Sequence, residues 1–236
     1  MKVELLAHTN NPDDAVDKYA SICYGGKFEV SKNHSRLKDC IASGHTSVLE
    51  HAVFTFYIKD VSRILLAELT RHRIASYTVE SSRYVKYNKL KPEELVPAIN
   101  NVNVPDITKE WFYEHIKESA ELYNMLLKDG MSAEDARVIL PLGTKTDIIM
   151  TINARSLLNL FSLRCCNRAY WEIQAVADEM LKLVKNVAPI IFEDAGPPCI
   201  KNGKCTEARP CGRFSKVREK YKGEDNGSLG EIYPLS

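Results

Sequence analysis

AVFTFYIKDVSRILLAELTRHR, residues 52–73, holds two periodicities in immediate succession. Its first part alternates β-branched and aromatic residues, with Val53, Thr55 and Tyr57 on one side and Phe54, Phe56 and Ile58 on the other, which is the pattern of a strand. Both sides are apolar enough to predict burial on both faces. Asp60 or Ser62 can accept the first free amides of a helix, and Ile64, Leu65, Ala67 and Leu69 then give VSRILLAELTRH a core-facing side. A strand passing directly into a helix that ends on Arg71, His72 and Arg73 predicts an α+β chain with its charged chemistry at an element boundary.

Working outward, MKVELLAHT reads as a short strand, followed by an Asn10–Asp13 loop and a helix beginning near Asp14. Leu37, Cys40 and Ile41 stand at helical spacing, with Gly44 where a C-terminal cap is favoured. On the other side lies a loop punctuated by Pro92, Pro97 and Pro105. Next comes an amphipathic helix through Ile116, Ala120, Tyr123 and Leu127 that ends at Gly130. Ser132 caps SAEDARVILP, which Pro141 stops. Residues 153–187, rich in helix formers and free of Gly and Pro, read as one long helical region. The pattern is predominantly helical with a small antiparallel sheet. Residues 1–198 read as one domain and residues 199–236 as a polar, cysteine-containing tail whose last twenty or so residues are flexible.

The 236 residues carry 32 basic against 31 acidic side chains, so no global field is available to hold a nucleic-acid backbone. Any anion site must be a local cluster. No apolar run approaches the roughly 20 residues a membrane span needs, and MKVELLAHTNNPDD lacks the apolar core of a signal peptide, so no membrane association and a cytoplasmic location are expected. Seven cysteines, an odd count, predict reduced thiols rather than a disulfide framework.

RHRIASYTVESSRY, residues 71–84, concentrates the guanidinium forks of Arg71, Arg73 and Arg83 around the hydroxyls of Ser76, Thr78, Ser81 and Ser82. Such a set suits a nucleotide phosphate, although a solvated charged turn carries the same residues. In NARSLLNLFSLR, Arg155 and Asn159 are one helical turn apart and able to grip one ligand. Arg164, nine residues past Arg155, falls about half a turn away. Either the helix breaks between them, or each arginine serves a different site, as when sites form between subunits. Alternatively each simply pairs with an acid such as Glu172 or Asp178. GHTSVLEH adds His45, Ser47, Glu50 and His51, which lack a third convincing metal ligand; polar contacts to a cofactor, or a structural turn, are the better readings, and no metal is expected.

GHTSVLEHAVFTF, RHRIASYTVESSRY and NARSLLNLFSLR, in this order and at these separations, resemble the flavin-dependent thymidylate synthases. The likeness spans most of residues 14–195, including DARVILPLGTKT and the WEIQ after Arg164. It implies a homotetramer with active sites between subunits, FAD as cofactor, and methylation of dUMP to dTMP with methylenetetrahydrofolate as carbon donor and NADPH as reductant. Carried over, flavin contacts fall on His45, Ser47, Arg71, His72, Arg73, Asn153, Arg155 and Asn159, with His45 also at the folate. The dUMP contacts fall on Glu68, Arg71, Val79, Glu80, Ser81, Ser82, Arg83, Arg137 and Arg164. Arg164 takes the catalytic position, engaging the uracil and favouring its ionised form.

Four positions depart from the family pattern. Thr78 and Val79 stand where Asn or Gln followed by Glu or Gln is frequent, Ser21 where an arginine is common, and Glu68 where many members have Gln. A carboxylate at 68 repels phosphate unless an arginine pairs with it. Cys199, Cys205 and Cys211 recur at six-residue steps, unlike the close pairs zinc favours. Cys165 and Cys166, beside Arg164, read as small apolar helix residues rather than nucleophiles. A nucleotide- or RNA-binding protein without catalysis is the rival reading; near-neutral charge and the lack of an aromatic-studded basic stripe weigh against it.

Overall fold

A computed structural model describes residues 1–87, 91, 95 and 103–222. Pro92 and Pro97 of the expected loop, and the last residues of the expected tail, lie outside them.

Four strands form one antiparallel sheet in the order β1-β2-β4-β3: β1 (Lys2–His8), β2 (Val53–Ser62), β3 (Ala75–Val79) and β4 (Lys145–Asn153). The long β2 is central, pairing Phe56 with Leu5 on one flank and with Met150 on the other. Its alternation buries one face only, a correction to the expectation of two. Phe54, Phe56 and Ile58 are inaccessible, Thr55 and Tyr57 are half-buried and Val53 is exposed. On β4, Thr146, Ile148, Met150 and Ile152 alternate inward in the same way. The less buried face is joined by polar pairs, Thr55 to Thr151 at 3.0 Å and Tyr57 to Asp147. Asp60, with φ of 56°, sits in the register shift of β2, where its amide donates to Asp147 Oδ1 at 3.0 Å.

Helices α1 (Pro12–Ala20), α2 (Ser35–Ala42), α3 (Arg63–Leu69), α4 (Asp106–Lys128) and α5 (Ala133–Ala136) precede β4; α6 (Ala154–Arg164), α7 (Trp171–Val187), α8 (Pro198–Asn202) and α9 (Phe214–Lys222) follow it. The caps follow the expected chemistry. Ser62 Oγ accepts from Leu65 N at the start of α3, and Ser132 Oγ from Asp135 N at the start of α5. Gly44 (φ 75°) and Gly130 (φ 94°) supply the left-handed turns just past α2 and α4. Ile173, Val176, Met180 and Val184 of α7 join Leu157, Leu160 and Phe161 of α6 and the inward residues of β2 and β4 in one core, and Phe192 meets Phe54 and Phe161 edge-on at 5.5 and 5.9 Å.

The single helix expected over residues 153–187 is two, α6 and α7. Cys165 ends α6, and Gln174 Nε2 reaches back to the Cys165 carbonyl at 3.2 Å and to Asn167 Oδ1 at 2.8 Å. The first of these bonds satisfies a carbonyl that a continuous helix would have paired, so tertiary context overrides propensity. The chain up to Lys222 is likewise not a free tail, since α9 lies on α7 with Val217 buried and Lys220 paired to Asp178.

Candidate active site

Arg71, His72 and Arg73 follow α3, whose start is anchored by a buried acid. Glu172 accepts from Ser62 N at 2.7 Å and also from Ser62 Oγ, and burial raises its pKa against those bonds. At the other end of α3, the Tyr77 hydroxyl lies against the carbonyls of Leu69 (2.9 Å) and His72 (2.8 Å). This fastens the arginine segment to β3. His72 is buried, whereas the side chains of Arg71 and Arg73 are exposed and make no hydrogen bond or ion pair with the described residues.

Arg164, the last residue of α6, projects onto the same segment. Its Nε donates to His72 Nε2 at 3.1 Å, Nη1 to Glu68 Oε2 at 3.2 Å and Nη2 to the Glu68 carbonyl at 3.4 Å. Because Nε2 accepts, the neutral His72 ring carries its proton on Nδ1. Burial first, and then the Arg164 cation, hold the imidazole below its ordinary value of 6.5, so it is neutral near pH 7. Three of the five guanidinium donors are thereby used, and two remain for a ligand. The condition that Glu68 be paired with an arginine is met, by Arg164.

A second group lies at the end of β3. Arg137 Nη1 donates to the buried Ser82 hydroxyl at 2.9 Å, and Arg83 Nε lies 2.9 Å from Glu134 of α5. Ser81 Oγ accepts from Arg83 N at 3.3 Å. Two residues that sequence reasoning missed organise this bend: Arg63 donates to the Tyr87 hydroxyl at 2.7 Å, and Tyr87 donates to Glu80 Oε1 at 2.9 Å. Arg63 follows the cap Ser62 directly, which marks it as a first-turn residue but not its partner. Val79, the last residue of β3, pairs with Ile148.

The third group is at the opposite end of α6. Arg155 forms a 2.6 Å ion pair with Glu50, which lies in the helical turn Thr46–His51 that also carries Ser47; His45 precedes that turn. Asn153 Oδ1 accepts from Ser156 N at 2.9 Å, so this side chain caps α6, and Asn159 is exposed one turn on. Both α6 arginines thus carry acidic partners, Glu50 and Glu68 rather than Glu172 and Asp178. They share one unbroken helix, nine residues apart, so they stand about 14 Å apart along its axis and half a turn apart around it. The nominated residues fall into three clusters rather than one pocket. An open cavity of about 490 Å³ beside α6, lined by Lys38, Thr46, Leu158, Ser162 and Asp194 among others, contains none of them.

Burial raises the thiols of Cys165 and Cys166, so neither is a ready thiolate. All seven cysteines are unpaired, and among the described residues no group of three or more His, Cys, Asp or Glu side chains is arranged to hold a metal. Nor, among those residues, is any helix long and apolar enough to cross a membrane.

The family model described as thymidylate synthase complementing protein matches residues 4–190. The flavin-dependent thymidylate synthase of Geobacter sulfurreducens is 43% identical over 231 residues, covering 94% of this chain and 98% of that protein. That of Clostridium tetani is 38% identical, covering 94% and 97%. A crystal structure of the flavin-dependent thymidylate synthase of Helicobacter pylori, complexed with FAD and dUMP, superposes with a TM-score of 0.64 at 31% identity, over 83% of this chain and all of that one.

Proposed function

Because the chain belongs to the family of thymidylate synthase complementing proteins, the flavin-dependent thymidylate synthases, we propose that it methylates dUMP to dTMP with FAD as bound cofactor, methylenetetrahydrofolate as carbon donor and NADPH as reductant. The observation that carries this reading is Arg164, a fixed cation held by a neutral histidine with two donors uncommitted. Placed on a uracil carbonyl, such a cation stabilises the negative charge that develops when the ring ionises. His72 keeps the guanidinium oriented without adding a second positive charge.

The residues suit a large dianionic cofactor. Arg71 and Arg73 offer exposed guanidinium groups free of partners among the described residues, the donor set a pyrophosphate requires. His45, Ser47, Asn153, Arg155 and Asn159 would hold the flavin from the opposite end of α6. When bound, FAD takes up reducing equivalents from NADPH and delivers them to the one-carbon unit as it becomes the methyl group. The hydroxyls of Ser81 and Ser82 with Arg83 and Arg137 would take the dUMP phosphate.

The separation of the clusters along α6 supports sites assembled between subunits, and with them a homotetramer. In such an assembly Arg155 of one protomer and Arg164 of another would serve one site.

The test is anaerobic reduction of the purified flavoprotein by NADPH, followed by dUMP and methylenetetrahydrofolate. Flavin bands that bleach with NADPH and recover as dTMP forms, only when both substrates are present, support the proposal. A protein that takes up no FAD and makes no dTMP overturns it and brings forward the nucleotide-binding alternative, whose affinity would fall steeply with salt.

A further inference from the structure

The carbonyl immediately after Arg164 is held by a residue far outside the family match. Cys165 caps α6 and is fully buried, and its oxygen belongs to the last turn, where helix carbonyls lack intrahelical partners. Two side chains supply the missing donors. Gln174 Nε2 reaches it from α7 at 3.2 Å, and the Tyr221 hydroxyl reaches it from α9 at 3.1 Å. Tyr221 lies beyond residue 190, where the family match ends.

Tyr221 is itself fixed on three sides. Its ring packs against Gly196, where a Cβ would lie in van der Waals contact with the ring carbons at 3.4–3.7 Å. Its hydroxyl also contacts Asp178 Oδ1, while Lys220 contacts Oδ2 of the same carboxylate. A tyrosine hydroxyl has one hydrogen to give. That hydrogen is shared between two acceptors, the Asp178 carboxylate and the Cys165 carbonyl, so one three-centre bond ties the end of α6 to α7. The pair Lys220 and Asp178 is largely buried, with side chains 13% and 6% exposed, so the anchor excludes the water that would otherwise compete.

We propose that Tyr221 is a positioning residue for Arg164, its hydroxyl pinning the C-terminal turn of α6 so that the guanidinium stays aligned on His72 and the uracil. The proposal rests on the role assigned to Arg164 above. Without this bond the turn retains only Gln174, and a helix end with fewer partners frays more readily. Misplacing a charged group by an ångström costs catalysis much more than binding when the rest of the ligand is held elsewhere. The phosphate-end residues Ser82, Arg83 and Arg137 are on other elements and unaffected.

The experiment uses the full-length holoenzyme with Tyr221→Phe, which keeps the ring against Gly196 and deletes only the hydroxyl. We expect kcat to fall about tenfold while dUMP affinity changes by less than about twofold and flavin content is unchanged. In an Arg164→Lys background the same substitution should cost much less, because the two residues act on one group. Gln174→Leu, which removes the other donor to that carbonyl, should reproduce the fall in kcat if Tyr221→Phe proves insoluble. The inference is overturned if Tyr221→Phe leaves kcat intact or if its cost is equal in both backgrounds. If Arg164→Lys itself retains full turnover, the role of Arg164 has failed, and the inference falls with it for that separate reason.

Discussion

Arg164 and Glu68 form a 3.2 Å ion pair in which both side chains are largely shielded, 21% and 32% exposed, and His72 completes the set at 3.1 Å. A carboxylate is thus lodged on the cation assigned to the substrate. Glu68→Gln keeps the shape and removes the competing charge. It should tighten dUMP by up to roughly fivefold, in line with the about 1 kcal/mol ceiling of a partly exposed pair. Calorimetric titration of dUMP into each holoenzyme checks this; weaker binding in the variant would make Glu68 a direct nucleotide contact instead.

His72 ties activity and stability to pH. Its pKa is lowered in the folded protein, so the folded state binds fewer protons than the unfolded state just below pH 6.5. The stability this contributes is fully present above 6.5 and is lost as pH falls through the depressed folded value. Protonation also places a second cation beside Arg164 and removes its acceptor. Turnover and thermal stability should both decline on the acid side of 6.5, and His72→Gln should flatten this part of the pH profile. An unchanged acid limb in the variant would assign the titration to another group.

The two arginines of α6 should separate functionally. Arg155→Ala is expected to lower the flavin-to-protein ratio after gel filtration by about tenfold, because a charge-assisted contact of this kind contributes on the order of 1.5–3 kcal/mol. Arg164→Ala should instead leave flavin bound and reduce dTMP formation by about a hundredfold or more. Equal flavin loss in both variants would merge the clusters into one site.

Phe56 sits at the centre of the sheet, fully buried, with Leu5 and Met150 as its cross-strand partners. Phe56→Ala removes buried area and leaves a cavity, costing about 3–5 kcal/mol in urea unfolding. Val53→Ala, at the exposed start of the same strand, should cost less than about 1 kcal/mol.

Part of this molecule was legible in its sequence because the signals are local. The alternation in AVFTFYI, the Ser62 and Ser132 caps and the glycines at 44 and 130 depend on neighbours a few residues away, and each appears where the pattern places it. The opposed faces of Arg155 and Arg164 likewise follow from helix geometry alone. KTDIIMTIN carries a strand's alternation too, yet its role as the partner that joins β2 to β3 exists only across residues about 70 to 100 positions apart. The burial of one face of β2 rather than two depends on what the helices cover, which no strand pattern contains.

The sequence by itself determined the family and the chemistry of the candidate ligand contacts, because these reside in residue types and short spacings. Only the tertiary structure decided which acid meets which basic side chain: Glu50 on Arg155, Glu68 on Arg164 and Asp178 on Lys220. It also decided that residues 153–187 break after Arg164 and that α9 returns to brace the break. Ion pairs and helix ends of this kind are settled by burial and by hydrogen-bond partners distant in the chain, so they become visible only when the chain has folded.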